Sequence, residues 1–233
     1  MKNYSLKISV FLLCTTFCIQ MNLIAQTKNK TLTELTALRD NFIADINSFG
    51  YTPSLPPPVL SLDNPVSFGN YDDTTNILHT TSDWHTLPQE LKDFFNQAAE
   101  HTDTSGESFF EKATHKWIFV HELGHWWRRC QKQKVSHYDE EMGANRIAVA
   151  YWRQQDSYFM NWQLQVFEGF VSHFPNPVPQ GISKEKYLND NYETIGSTPA
   201  YTWYQAEMII NAYNEQPILT FKNAIKNSGN LPH

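Results

Sequence analysis

The stretch that decides the fold is residues 118–127, which read IFVHELGHWW. It lies inside a segment, Phe109 to about Gln133, whose only glycine or proline is Gly124. Ser108 and Glu111 have the spacing of a capping box, so this segment is predicted to form one long α-helix. Apart from Glu122, the residues around the two histidines from Ile118 to Trp127 are uncharged, and we therefore expect a buried helix.

The chain before this helix predicts one helix and a small sheet. Apolar residues recur at three- and four-residue steps from Leu32 to Ile46, and Gly50 follows them, which indicates an amphipathic helix closed by glycine. Four prolines between residues 53 and 58 exclude helix there. Residues 71–76 read YDDTTN, and such a cluster of Asp and Asn favours a turn. We therefore expect three runs with strand character to form an antiparallel sheet. These runs are Val59–Leu62, Val66–Asn70 and Ile77–Thr80.

The remaining segments are predicted to be helical, so the fold class is α+β with a mainly helical C-terminal part. Prolines at 175, 177 and 179 separate the first C-terminal helix from the later ones. The predicted helices are Trp84–His101, Tyr138–Gln155, Tyr158–Phe170, Tyr201–Tyr213 and Ile218–Ile225.

The first 25 residues have the pattern of an export signal. Lys2 and Lys7 precede an apolar stretch that ends at Ala25, a small residue acceptable just before a cleavage point. A permanent membrane anchor is the alternative, but the stretch is short and contains several polar residues. We expect an exported protein, periplasmic or secreted, whose mature chain begins near Gln26 and has no stable membrane span.

The charge balance argues against a nucleic-acid partner. Without Lys2 and Lys7 the mature chain would carry 16 basic and 24 acidic residues, a net charge of −8. It has no sustained stripe of Lys and Arg, which nucleic-acid binding requires. Two of the three cysteines lie in the signal, so Cys130 has no partner for a disulfide and is expected to be a buried, inert thiol rather than a metal ligand.

The segment His121 to His125 reads HELGH and has the spacing of a metal site. Residues four apart lie on the same face of a helix, so His121 and His125 can place two imidazole nitrogens on one ion. Glu122 points to the side of that pair, where a carboxylate can act as a general base without ligating the metal. The alternative is a helix that carries two histidines without a metal.

A catalytic zinc site needs a third protein ligand and an open position for water. The metzincin pattern is excluded because Gln131 stands where its third histidine would be. Residues that carry a suitable donor follow the helix at His137, Asp139, Glu140 and Glu141.

A pattern that begins at Glu141 resembles the gluzincin metallopeptidases, in which a downstream helix supplies Glu within Glu-x-x-Ala-Asp/Asn. Residues 141–148 read EMGANRIA, and together with HELGH they are most similar to the ImmA/IrrE-type peptidases. The resemblance covers about residues 59 to 155. It implies a zincin-like fold, in which His121, His125 and Glu141 bind one Zn²⁺ and Glu122 is the catalytic glutamate.

Helical geometry agrees with this assignment. Glu141 and Asn145 share a helix face, so the carboxylate can ligate while the Asn145 amide orients a ligand histidine. Glu140 is then an acid at the start of the helix. The resemblance also extends to residues 69–78, a strand-turn-strand that could bind an extended peptide through main-chain hydrogen bonds.

The sequence thus predicts an exported zinc metallopeptidase that cleaves peptides or proteins by Glu-assisted attack of a zinc-bound water. The alternatives are hydrolysis of an ester or cell-wall amide at the same site, or a non-catalytic metal-binding module. Candidates for stabilising the transition state in the second lobe are Tyr192, Tyr201, Tyr204 and His173. The predicted organisation is a signal peptide (1–25), a zincin-like catalytic lobe with a small antiparallel sheet packed on the active-site helix (26–155), and a helical C-terminal lobe (156–233).

Overall fold

The structure, a computed structural model, describes residues 30–63, 68–100, 102–132, 134–196 and 198–228. The predicted export signal and its cleavage point lie outside these residues. The described chain is α+β, as predicted, with one small sheet and a larger set of helices. None of the described helices is long and apolar enough to cross a bilayer.

The sheet contains strands β1 (Val59–Leu62), β2 (Gly69–Asp72) and β3 (Ile77–Thr80) in the order β1-β3-β2. Strands β2 and β3 form the predicted antiparallel hairpin, whereas β1 runs parallel to β3, with Val59 opposite Ile77. The prediction of a purely antiparallel sheet was therefore wrong, and the sheet is mixed. Two successive chain reversals return β3 to the direction of β1, and β3 rather than β2 lies beside it.

The first helix, α1, spans residues 30–48 and confirms the predicted amphipathic helix. Gly50 follows it with φ of 87°, a left-handed conformation that favours glycine. The predicted helix at Trp84–His101 is divided into a 3₁₀ turn at Trp84–Thr86 and helix α2 at Gln89–Ala99, because Pro88 interrupts the run.

The central helix begins earlier than predicted. It consists of α3 (Gly106–Phe110), a π-helical segment (Glu111–Ile118) and α4 (Phe119–Cys130). Its N-cap is Ser105, whose side chain accepts a hydrogen bond from the backbone N–H of Ser108 at 3.2 Å, so the capping box predicted at Ser108 was wrong. Residues 121–125 nevertheless lie in the interior of this helix, and α4 is largely buried, as predicted.

Within the part of the chain that the structure describes, five helices follow α4, and one of them was not predicted. They are α5 (His137–Gln155), α6 (Ser157–His173), α7 (Lys184–Ile195), α8 (Pro199–Asn214) and α9 (Phe221–Asn227). Helix α7 gives a weak sequence signal, because Leu188 and Ile195 are its only buried residues.

Helices α4 and α5 pack closely at the centre of the fold. A Cβ atom at Gly124 would lie 3.1 Å from the backbone of Ala144, so small residues on both helices allow the approach. The main apolar core includes Phe42 of α1, Leu123 of α4 and Met208 of α8. The two predicted lobes therefore contribute to one core, and the boundary at residue 155 remains a prediction.

Candidate metal centre

Three side chains from α4 and α5 converge on one point. The two Nε2 atoms of His121 and His125 are 3.0 Å apart, and the Oε2 atom of Glu141 lies 3.2 and 3.6 Å from them. The side chains are 9%, 16% and 4% exposed, in that order. Among the described residues, these three form a group that can hold a metal ion, and Cys130 is not part of it.

The backbone explains why these residues meet. The histidines are one helical turn apart on α4, so both rings leave the helix on the side of α5. Helix α5 begins at His137 with Ser136 as its N-cap, which places Glu141 in the second turn. The close contact between Gly124 and Ala144 brings the Glu141 carboxylate within reach of the imidazoles.

The Glu122 carboxylate lies outside the metal group and is held by the sheet. Its Oε2 atom accepts a hydrogen bond from the backbone N–H of Tyr71, in strand β2, at 2.8 Å. This approach depends on Gly69, because a Cβ atom there would lie 2.4 Å from a side-chain carbon of Ile118. Strand β2 thus fixes the orientation of Glu122 beside the metal group.

Glu140 bridges a metal-group histidine and a buried arginine. One carboxylate oxygen accepts from His125 Nδ1 at 3.0 Å, and the other accepts from Arg128 Nε at 3.0 Å. Burial raises the pKa of Glu140, but the hydrogen bonds from His125 and Arg128 outweigh it, and the net pKa is lowered. Glu140 is therefore not simply an acid at the start of the helix. A carboxylate on the distal nitrogen of a ligand histidine fixes the ring and raises its basicity.

The carboxylate of Glu141 has two further partners, both from the C-terminal helices. Tyr192 donates its hydroxyl to Oε1 at 2.7 Å, and Gln205 donates its amide to Oε2 at 2.7 Å. Asn145 in turn donates to the Gln205 carbonyl at 2.8 Å. The sequence did not predict that Tyr192 or Gln205 contacts Glu141, since each is more than 50 residues from it.

Asn145 does not orient a histidine as predicted. Its side-chain oxygen and the Nδ1 atom of His121 are both buried, and neither has a hydrogen-bond partner among the described residues. Asn145 instead acts on Glu141 through Gln205. The shared helix face of Glu141 and Asn145 was predicted correctly. The sequence pattern could not reveal that Gln205 of α8 is hydrogen-bonded to both side chains.

The charges of the group favour an ionised carboxylate. Burial alone would raise the pKa of Glu141, but the neighbouring His125 and His121 lower it well below its usual range. Burial alone would lower the pKa of His125, but Glu141 and Glu140 raise it well above the usual value. A carboxylate held ionised beside two imidazoles is the form in which it binds a cation.

The candidate transition-state residues have different surroundings. Tyr201 is hydrogen-bonded to Tyr192, and burial and the charge of Glu141 raise its pKa. The hydroxyl of Tyr204 donates to the backbone oxygen of Lys184 at 3.1 Å, and the side chain is fully buried. His173 is exposed at the end of α6. The candidate Tyr192 contacts Glu141 directly, and Tyr201 is linked to the metal group through Tyr192.

Comparisons with protein-family models, with curated proteins and with solved structures find no match to this chain. The likeness to gluzincin peptidases therefore rests on the residues of α4 and α5. What the geometry itself shows is a buried group of two imidazoles and one carboxylate that can hold a metal ion, with a separate glutamate beside it.

Proposed function

We propose that this chain is a zinc-dependent hydrolase that cleaves peptide bonds. The observation that carries the proposal is the division of roles between adjacent residues. His121 joins His125 and Glu141 in the metal group, whereas Glu122 is held outside that group by a main-chain N–H of strand β2. A structural metal site would have no use for a separately oriented carboxylate.

The donor set suits Zn²⁺. Two imidazole nitrogens and one carboxylate oxygen are the ligands of many catalytic zinc sites, which leave one position open. Calcium and magnesium prefer oxygen donors throughout. Two histidines and a carboxylate also hold iron in oxygenases, but a positioned general base favours hydrolysis.

The roles of the protein residues follow from their contacts. A bound Zn²⁺ would supply Lewis acidity and lower the pKa of a water molecule to about 7. Glu122, oriented by the Tyr71 N–H, would accept a proton from that water and return it to the leaving amine. Glu140 would fix the ring of His125, and Tyr192 with Gln205 would fix the carboxylate of Glu141.

The position of the sheet supports a peptide as the substrate. Strand β2 is at the edge of the sheet and is hydrogen-bonded to Glu122. An edge strand presents main-chain donors and acceptors that an extended peptide can pair with. A peptide added along β2 would run beside the general base.

The test combines metal analysis with a substrate screen. Bound metals are identified by mass spectrometry in the wild type, Glu122→Gln and His121→Ala, with Glu90→Gln as a control at an exposed position of α2. The same proteins are incubated with a diverse peptide library and with cell-wall fragments, and products are identified by mass spectrometry. We expect one zinc and peptide cleavage in the wild type and in Glu90→Gln.

Glu122→Gln should retain zinc and lose at least about 100-fold in turnover, the contribution of a general base. His121→Ala should lose zinc. Peptide cleavage by Glu122→Gln at the wild-type rate would overturn the mechanism. Cleavage of wall fragments without cleavage of any peptide would overturn the substrate class.

A further inference from the structure

His137 lies beside the metal group without belonging to it. The sequence offers it as a third ligand, but the structure leaves it outside the group of His121, His125 and Glu141. It is the first residue of α5, four residues before Glu141, so both side chains leave the helix on the same face. His137 is exposed, whereas the Glu141 side chain is 4% exposed. The imidazole therefore lies one helical turn outside the carboxylate.

The imidazole of His137 stacks on an aromatic ring of α7. It lies flat on the ring of Tyr192, with 4.1 Å between the ring centroids and 6° between the planes. Tyr201 contacts the same tyrosine in a nearly perpendicular arrangement, with centroids 6.0 Å apart and planes at 83°. The Tyr192 ring is thus held by one aromatic side chain on its face and by a second at a right angle to it.

The hydroxyl of that ring supports the metal group. Tyr192 donates it to Glu141 Oε1 at 2.7 Å, and the other carboxylate oxygen, Oε2, lies 3.2 Å from His121 Nε2. Tyr192 is half-buried on a helix with only two buried residues, so its ring depends on its immediate neighbours for a fixed orientation. A rotated ring would carry the hydroxyl away from the carboxylate.

A second contact attaches the same face of α7 to the first turn of α5. The side-chain oxygen of Asn189 accepts a hydrogen bond from the backbone N–H of Tyr138 at 2.9 Å. Asn189 and Tyr192 are three residues apart and therefore neighbours on the surface of α7. Their partners, Tyr138 and His137, are adjacent in sequence. The stack is thus part of a defined contact between the two helices.

We propose that His137 is a positioning residue of the metal group, which acts on Glu141 through Tyr192. The flat imidazole holds the Tyr192 ring at the angle at which its hydroxyl reaches Oε1, and the carboxylate then keeps Oε2 toward the histidines. The role requires the ring of His137 and not its nitrogen atoms, because the contact is made face to face. The inference rests on the metal binding of the proposed function, but it does not require hydrolysis.

The test measures the zinc affinity of the purified protein by competition with a chromophoric chelator, and the stability of the metal-free protein in urea. His137→Ala removes the stack and should weaken zinc binding about two- to tenfold, the size of one aromatic pair interaction. His137→Gln, which is polar but has no ring, should lose the same. His137→Phe keeps a flat ring without nitrogens and should bind zinc as the wild type does. His85→Ala, the control, removes an exposed histidine that pairs with Glu107 and should also match the wild type.

A second background separates positioning from packing. Tyr192→Phe keeps the ring but has no hydroxyl, and should lose about 10- to 100-fold in zinc affinity. In that background His137→Ala should cause no further loss of zinc affinity, because no hydroxyl remains to be placed. Its effect on urea unfolding should persist there, because the stack is still removed.

Wild-type zinc affinity in His137→Ala would overturn the proposal. It would equally be overturned if His137→Phe lost as much affinity as His137→Ala, or if the loss persisted in the Tyr192→Phe background. Each of these results leaves the proposed function standing, since the wild type still binds zinc. A wild type that binds no zinc would instead overturn the proposed function, and this inference with it.

Discussion

The exchange Glu140→Gln tests how the metal group is supported. The side chain keeps its size, but the amide can accept only one of the two hydrogen bonds that the carboxylate now accepts from His125 and Arg128. Loss of such a support costs about 10- to 100-fold in metal affinity, or about 1.4 to 2.7 kcal/mol.

The folded state should also lose stability, because the buried Arg128 would lose the carboxylate with which it pairs among the described residues. Breaking a fully buried pair costs about 3 to 5 kcal/mol. The Glu140 side chain is 32% exposed, so water and salt screen part of this interaction. We therefore expect a loss of about 1 to 3 kcal/mol in the free energy of unfolding.

Zinc affinity is measured by competition with a chromophoric chelator, and unfolding is measured in urea. Asp139→Asn, which removes the same charge from the neighbouring residue, should match the wild type within about 0.5 kcal/mol in stability. Glu141→Gln, which removes the carboxylate of the metal group, should lose far more zinc affinity than Glu140→Gln. Equal losses in the two variants would mean that Glu140 is itself a ligand, and no loss in Glu140→Gln would refute its supporting role.

Three further predictions concern the surroundings of the site. Gly69→Ala would place a Cβ atom 2.4 Å from a side-chain carbon of the central helix, and should cost about 1 to 3 kcal/mol in urea unfolding, whereas Gly169→Ala, with nothing within 4 Å, should be neutral or stabilising. Burial lowers the pKa of His115 below 6.5. As the pH falls, His115 is therefore protonated at a higher pH in the unfolded chain than in the folded protein. The contribution of His115 to the free energy of unfolding is therefore complete above about pH 6.5 and is lost as the pH falls toward the folded pKa. Urea unfolding between about pH 5 and 8 measures how the free energy of unfolding changes with pH. That change should be smaller in His115→Gln and the same as in the wild type in the exposed control His85→Gln. Burial raises the pKa of the Cys130 thiol, so Ellman's reagent should label it only after unfolding, in a variant whose two N-terminal cysteines are replaced by serine; rapid labelling of the native protein would contradict its burial.

The features predicted correctly are those that depend on local geometry. The spacing of apolar residues located α1, and the absence of helix breakers located the central helix around His121 and His125. Residues four apart on a helix share a face in any protein, so the two imidazoles had to be neighbours once the helix formed. Glu141 was selected by a pattern on its own helix, and the structure brings it to the histidines.

The missed features of the site and of the sheet depend on contacts between distant segments. Glu140 and Glu141 are adjacent in sequence. Only the packing of α5 on α4 places the Glu141 carboxylate within the metal group and the Glu140 carboxylate between His125 Nδ1 and Arg128. Tyr192 and Gln205 reach Glu141 across 51 and 64 residues. The parallel pairing of β1 likewise depends on which strand lies beside it.

The sequence by itself therefore determined that His121 and His125 lie side by side, because helical periodicity is a property of the backbone. The tertiary structure decided which side chains support them and which edge of the sheet holds Glu122. It also stacked His137 of α5 on Tyr192 of α7. These contacts arise only when separate helices pack, and no spacing within one segment encodes them.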